Sequence, residues 1–320
     1  MAAHSQPTGA AGDASAVARG RTVRAGKRRP PAALSAADAR RWQAATGKRP
    51  DPASPLFGPA SVTWKINREA VLLLGGGRAL LMQVAHPLVA AAVAAHSGFR
   101  TRPLHRLFRT LELTSTIVFA PAAEAIGALR QIESAHARVK GKLDSKVGPF
   151  GVGTRYDANH APLLFWVHAT LVDSAFSTYE KFVGALPRTA AHRYYEESKL
   201  VARLFGVPDA LIPEKWTDFR RYMKSMLEGD ALAVSDAGRE IAASIMDPPL
   251  PFGLKHGFRT SNFFTRGLLP PILRERYGLT WSAAEERALA GLASVVRLAL
   301  PALPPLVRFF PRARRAIHAA

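Results

Sequence analysis

Three observations predict an all-α fold, a single multi-helix globular domain. Between residues 69 and 300, segment after segment spaces its apolar residues three and four apart. Alternating apolar–polar strand patterns are almost absent. Pro121, Pro162, Pro187 and Pro213 fall near the helix starts this spacing predicts, where a missing N–H costs nothing.

Taken in order, residues 1–35 are rich in Ala, Gly, Ser, Pro and Arg and cannot bury enough surface to order themselves. A short helix over 36–45 and a Pro-rich linker follow. The chain therefore divides into a basic, largely disordered N-terminal tail over 1–50, a helical domain over 51–300 and a basic C-terminal tail over 301–320. The "GKRRPPAAL" of the first tail is not followed by an apolar core, so no signal peptide is expected. From Ala70 to Ala95 the chain imitates a membrane span of about 20 residues. Gly75-Gly76-Gly77-Arg78 interrupts it, and Gln83, His86 and Pro87 sit near its middle, where polar groups are costly in lipid. Two buried helices are expected instead, 69–75 and 78–95, the second bent at Pro87. The triple glycine fits no nucleotide-binding fingerprint. Helices are predicted over 103–118, 121–141, 159–184, 187–205, 215–230 and 234–246. Past Pro248, "KHGFRTSNFFTRG" reads as a surface loop ahead of a helix. Thr280 or Ser282 caps a last long helix with Glu285 and Glu286 in its first turn.

Composition narrows the chemistry. The chain has 320 residues, ten histidines and no cysteine, which excludes disulfides, zinc–thiolate sites, iron–sulfur clusters and haem–thiolate chemistry. The net charge of +20 is largely terminal: ten Lys/Arg against two acids in the first 50 residues, and no acid after Glu286. No nucleic-acid-binding signature accompanies it, so no nucleic-acid partner is expected. The basic, aromatic "LVRFFPRARRAIHAA" suits peripheral contact with an anionic membrane. Without a signal peptide or transmembrane helix, a cytoplasmic location is expected. The oligomeric state is not legible.

The candidate chemistry starts at "IESAHARVKG". On a 121–141 helix, His136 shares a face with Leu129, Ile132 and Val139, with Lys140 one turn on. Helix 103–118 offers Arg106, Arg109 and Thr110, and helix 159–184 sets His168 in an apolar stripe. Helical histidines on apolar surface with arginines nearby suit a haem: iron takes an imidazole, the macrocycle apolar walls, the propionates Arg or Lys. Glu133-x-x-His136 is half of a di-iron carboxylate motif, but no second copy exists. The H-E-x-x-H zinc pattern is absent. Asp173, away from the His168 stripe, reads as a structural ion-pair partner.

Five stretches carry a resemblance: "LLMQVAHPLVAAAVAAHSGF", "RLFRTLELTSTIVF", "IESAHARVKG", "WVHATLVDSAFSTYEKFV" and "YYEESKLVARLFGVP". In order and spacing, over about residues 60–250, the sequence resembles the family uniting rubber oxygenases (latex-clearing proteins) with MpaB-type oxygenases. That resemblance implies an all-α domain with a buried pocket for b-type haem, with His136 as the iron ligand and Lys140 at a basic position beside it. It further implies Arg106, Arg109 and Thr110 on the oxygen side and His168 near the pocket; Arg106 and, outside the resemblance, His86 are expected as further cofactor contacts. Rubber-cleaving members carry a glutamate ahead of the Arg segment. Here 70–105 holds no acid after Glu69, only His86, His96 and His105, which implies a smaller substrate than polyisoprene.

The expected function is a haem-dependent oxygenase acting with O2 on a hydrophobic, isoprenoid or otherwise unsaturated small molecule. His168 or His86 is expected to donate a proton, because imidazole titrates near neutrality. The alternative is a non-catalytic haem- or lipid-binding helical protein.

Overall fold

Helices dominate the described residues, joined by one two-stranded sheet. The computed structural model describes residues 34–96, 103–247 and 252–317, with side chains throughout these except 103–108, 252–259 and 317. The order is α1 (Ala36–Thr46), α2 (Val62–Asn67), a 3-10 helix (Ala70–Gly75), α3 (Gly76–Val84), α4 (Pro87–His96), α5 (Pro103–Phe119) and α6 (Ala122–His136). Strands β1 (Lys140–Lys142) and β2 (Arg155–Asp157) follow, paired antiparallel with Gly141 opposite Tyr156. Then come α7 (Ala161–Phe182), α8 (Arg188–Leu204), α9 (Trp216–Glu228), α10 (Asp236–Met246), α11 (Phe252–Leu268), α12 (Pro271–Arg276) and α13 (Ala283–Ala299). Two short helices, α14 (Pro305–Arg308) and α15 (Pro311–Ile317), end the described chain.

Local chemistry sets many of the starts. Ser61 and Ser235 accept from backbone N–H groups at the heads of α2 and α10. Ser35 with Asp38, and Ser282 with Glu285, form capping boxes on α1 and α13. The main core lies where α3, α4, α7, α8 and α9 meet and encloses Leu81, Met82, Trp166, Tyr195 and Phe219. Each such side chain contributes on the order of 1.5–3 kcal/mol by leaving water.

The span imitated by residues 70–95 is a bent pair inside this core. The axes of Ala70–Val84 and Pro87–His96 differ by 104°, and among the described residues no single helix is long and apolar enough to cross a membrane. Pro87 opens a new helix rather than bending one. The triple glycine serves packing: a Cβ on Gly77 would crowd Thr265 of α11, with its Cγ2 at 2.8 Å, and a Cβ on Gly75 would crowd Thr178 of α7. Arg78, next in line, is buried between the same two helices. It donates to Asp173 Oδ2 at 2.5 Å, Ser174 Oγ at 2.6 Å and the Leu268 carbonyl at 2.9 Å. Asp173 is thus the structural ion-pair partner the sequence indicates, and Arg220 reaches its other oxygen at 3.3 Å.

Four expectations change. The helix predicted over 121–141 ends at His136: Val139 N donates to the His136 carbonyl, and Lys140 opens a strand instead of a further turn. "KHGFRTSNFFTRG" is part of helix α11, not a loop. The boundary at residue 50 falls inside the folded body, because α1 buries Trp42 and Ala45 against α6 and α8. The stretch set apart from residue 301 also packs on that body. Arg308 donates to both oxygens of buried Glu69 at 2.9 Å, Phe310 N donates to the Arg68 carbonyl, and Ala313 is buried beside Trp64 and Phe119. Residues 1–33 of the N-terminal tail lie outside the described residues.

Candidate functional site

His136 is the last residue of α6, directly before the hairpin. Its Nδ1 is buried and has no hydrogen-bond partner among the described residues. Desolvation holds the imidazole below its ordinary pKa, against an upward pull from the carboxylates of Glu133 and Asp157. Each of those carboxylates has its own cation. Arg41 of α1 grips Glu133 with both guanidinium nitrogens, and Lys140 Nζ lies 2.9 Å from Asp157 Oδ2. Paired carboxylates stabilise an imidazolium less than free ones do, so burial wins and the ring is neutral. A neutral imidazole with a free nitrogen is the form that ligates a metal.

The hairpin gathers two more histidines. His96, at the end of α4, sets Nε2 3.1 Å from the Lys140 carbonyl and its ring against Tyr156. His86, just before α4, is buried 5.2 Å, centre to centre, from Phe150 in the hairpin loop. Leu88 N donates to His86 Nδ1 at 3.3 Å, which places the ring proton on Nε2. Burial pushes His86 down to about 4. His168, in mid-α7 beside Phe165, is also pushed down to about 4 by desolvation, offset in part by a hydrogen bond to the Ser198 backbone. Both rings are therefore neutral near pH 7. The proton-donor role expected from ordinary imidazole titration gives way to hydrogen bonding.

The remaining candidates are placed less centrally. Lys140 is exposed on β1 and engaged with Asp157, not one helical turn beyond His136. Arg109 and Thr110 are exposed on α5. The side chain of Arg106 lies outside the described residues. The structure thus links His136, Lys140, His96 and His86 through one hairpin, with His168 on a separate helix. The two charge pairs at His136 and the hairpin itself carried no sequence signal, since three-residue strands are too short to show a period of two.

The donor set discriminates among metals. Among the described residues no group of three His, Cys, Asp or Glu side chains could hold an ion. A half-buried imidazole with its pKa lowered by desolvation and no partner on Nδ1 among the described residues suits a metal that arrives with most of its ligands supplied, as haem iron does, better than a protein-only zinc or di-iron site. His136 fits the group the resemblance implies.

The sequence profile described as "ER-bound oxygenase mpaB/B'/Rubber oxygenase, catalytic domain" matches residues 64–298, from within α2 to the end of α13. Uncharacterized proteins of Mycobacterium bovis and Mycobacterium tuberculosis are each 29% identical over 175 residues, which is 54% of this chain and 65% of each relative. The chain thus spans just under two thirds of the length of these relatives. No solved structure matches it significantly. With the profile covering most of the helical body, including the hairpin and every candidate histidine, the chain belongs to the mpaB/rubber oxygenase catalytic-domain family.

Proposed function

We propose that this member of an oxygenase family is a haem b-dependent oxygenase of a hydrophobic small molecule. The observation that carries the reading is the half-buried imidazole of His136, whose pKa desolvation lowers and whose buried Nδ1 has no partner among the described residues where a hydrogen bond would otherwise be expected. Haem, when bound, supplies the iron that activates dioxygen. His136 holds the iron. Desolvation lowers the pKa of the ring, and the Arg41–Glu133 and Lys140–Asp157 pairs limit the opposing pull of the two carboxylates. The resemblance gives Arg106, Arg109 and Thr110 of α5 the oxygen side, where they would supply donors for developing negative charge, each well-placed donor contributing about 3 kcal/mol. Arg109 and Thr110 are exposed in the fold as it stands. His86 accepts from Leu88 N and His168 hydrogen-bonds the Ser198 backbone, which hold the two rings in place. Membership of the oxygenase family supports a small-molecule substrate and O2, and the resemblance to isoprenoid-cleaving members supports a hydrophobic, unsaturated one.

The test is an absorption spectrum of the purified chain, oxidised and dithionite-reduced, with haem quantified against protein. A Soret band near unit stoichiometry is expected, lost in His136→Ala. Full haem occupancy in that variant would sink the assignment of His136. O2 uptake with an unsaturated lipid or terpenoid then separates oxygenase from carrier: a haem-loaded protein that consumes none is the carrier.

A further inference from the structure

The exposed large apolar side chains are concentrated in one stretch of the surface. Leu292, Val295 and Leu298 stand on the outer face of α13, and Leu303, Leu306 and Val307 continue it through the turn into α14. Leu298 is 84% exposed and Leu306 69%, so nothing among the described residues covers them. The inner face of α13 is already spent: Leu289 and Ala293 are buried against Phe182 and Phe264. Between Ala288 and Val307 the chain carries a single charge, Arg297, whose guanidinium donates to the Glu180 and Lys181 carbonyls. A concentration of exposed apolar side chains of this kind, with Arg297 as its one charge, marks an interaction site.

We propose that this face docks on an anionic lipid surface. Charge decides the occupant. Arg287 lies on the same stripe as Gly291, Val295 and Leu298, is exposed, and makes no ion pair among the described residues. From Arg287 to Ile317 the chain has six arginines and no acid. A second copy meeting the face across a two-fold axis would set Arg287 and Arg297 of each copy against each other, unrelieved by any acid in the stretch, on molecules that each carry +20. Anionic headgroups meet them favourably while the leucines enter the acyl boundary. The surface is not the "LVRFFPRARRAIHAA" stretch as a whole. Arg308 and Arg312 of that stretch are engaged with Glu69 and Glu124, and Phe310 and Ala313 pack on the body. Docking is carried instead by residues 287–307.

The experiment is co-sedimentation of the full chain with phosphatidylcholine vesicles with and without phosphatidylglycerol. Binding to the anionic vesicles is expected, weakened by salt as the Debye length contracts. Leu298→Ser combined with Leu306→Ser leaves the charge unchanged and lowers the partition coefficient about tenfold or more. Arg287→Gln lowers it about fivefold. Both leucines are exposed, so circular dichroism should show the variants folded. Wild-type protein that stays in the supernatant overturns the proposal, as does binding that survives the serine pair. A wild-type dimer that the serine pair converts to monomer, with no vesicle binding, would make this face a contact between copies and equally overturn it.

Discussion

Protonation of His86 and His168 works against the fold. Burial lowers both to about 4, whereas an unfolded histidine titrates near 6.5. Between those values the unfolded chain binds protons that the folded one refuses, so stability is full above about pH 6.5 and falls as pH drops toward 4. The loss reaches roughly 3 kcal/mol per histidine once pH is below both values. Urea unfolding at about pH 7.5 and about pH 5 should show the decline, and His86→Gln should remove about half of it. A flat profile would show that neither ring is desolvated as described. At this scale the sequence exposed the candidates but not their states. His136 could be singled out from its apolar face, yet its free Nδ1 and the cations on Glu133 and Asp157 arise only once α1, α6 and the hairpin meet.

Among the elements, α3 shows how a sequence feature acquires its meaning from its neighbours. Gly75, Gly76 and Gly77 look equivalent in the chain. In the fold, Gly77 faces Thr265 and Gly75 faces Thr178, while a Cβ on Gly76 would meet nothing within 4 Å. Gly77→Ala should therefore cost about 1–3 kcal/mol by pushing α3 off α11. Gly76→Ala should be neutral or slightly stabilising, through helix propensity. Thermal melts of the two variants check this, and equal melting temperatures would sink the packing account. Helix existence was legible here because the 3.6-residue period runs through most segments. The end of α6 was not, since the apolar spacing continues through Val139 and only pairing of β1 with β2 ends the helix at His136.

For the whole molecule, the C-terminal stretch closes the body rather than trailing from it. Glu69 is buried and shares both oxygens with Arg308. Arg308→Met leaves that carboxylate inside with Arg68, at 3.7 Å, as its remaining ion-pair partner among the described residues, at a cost of about 2–4 kcal/mol. Adding Glu69→Gln should restore much of the loss, because the uncompensated charge goes with it. A melting temperature unchanged by Arg308→Met would show that the docking contributes nothing to stability. Sequence read this stretch as a tail because short, Pro-interrupted helices carry little periodicity and their arginines resemble a solvated basic end. The partners that capture them, Glu69 and Glu124, lie 239 and 188 residues away.

The sequence by itself determined the helical class, the order of most helices, the family, and the histidines worth attention. These follow from local periodicity, capping chemistry and motif spacing, all of which act over a few residues. Tertiary structure alone decided that His136 keeps a free nitrogen, that His86 and His168 are neutral, and that Arg78 and Asp173 are buried together. It also decided which apolar residues after Leu289 face outward. Each of these is set by desolvation or by charges brought close from distant parts of the chain, and neither is defined until the helices pack.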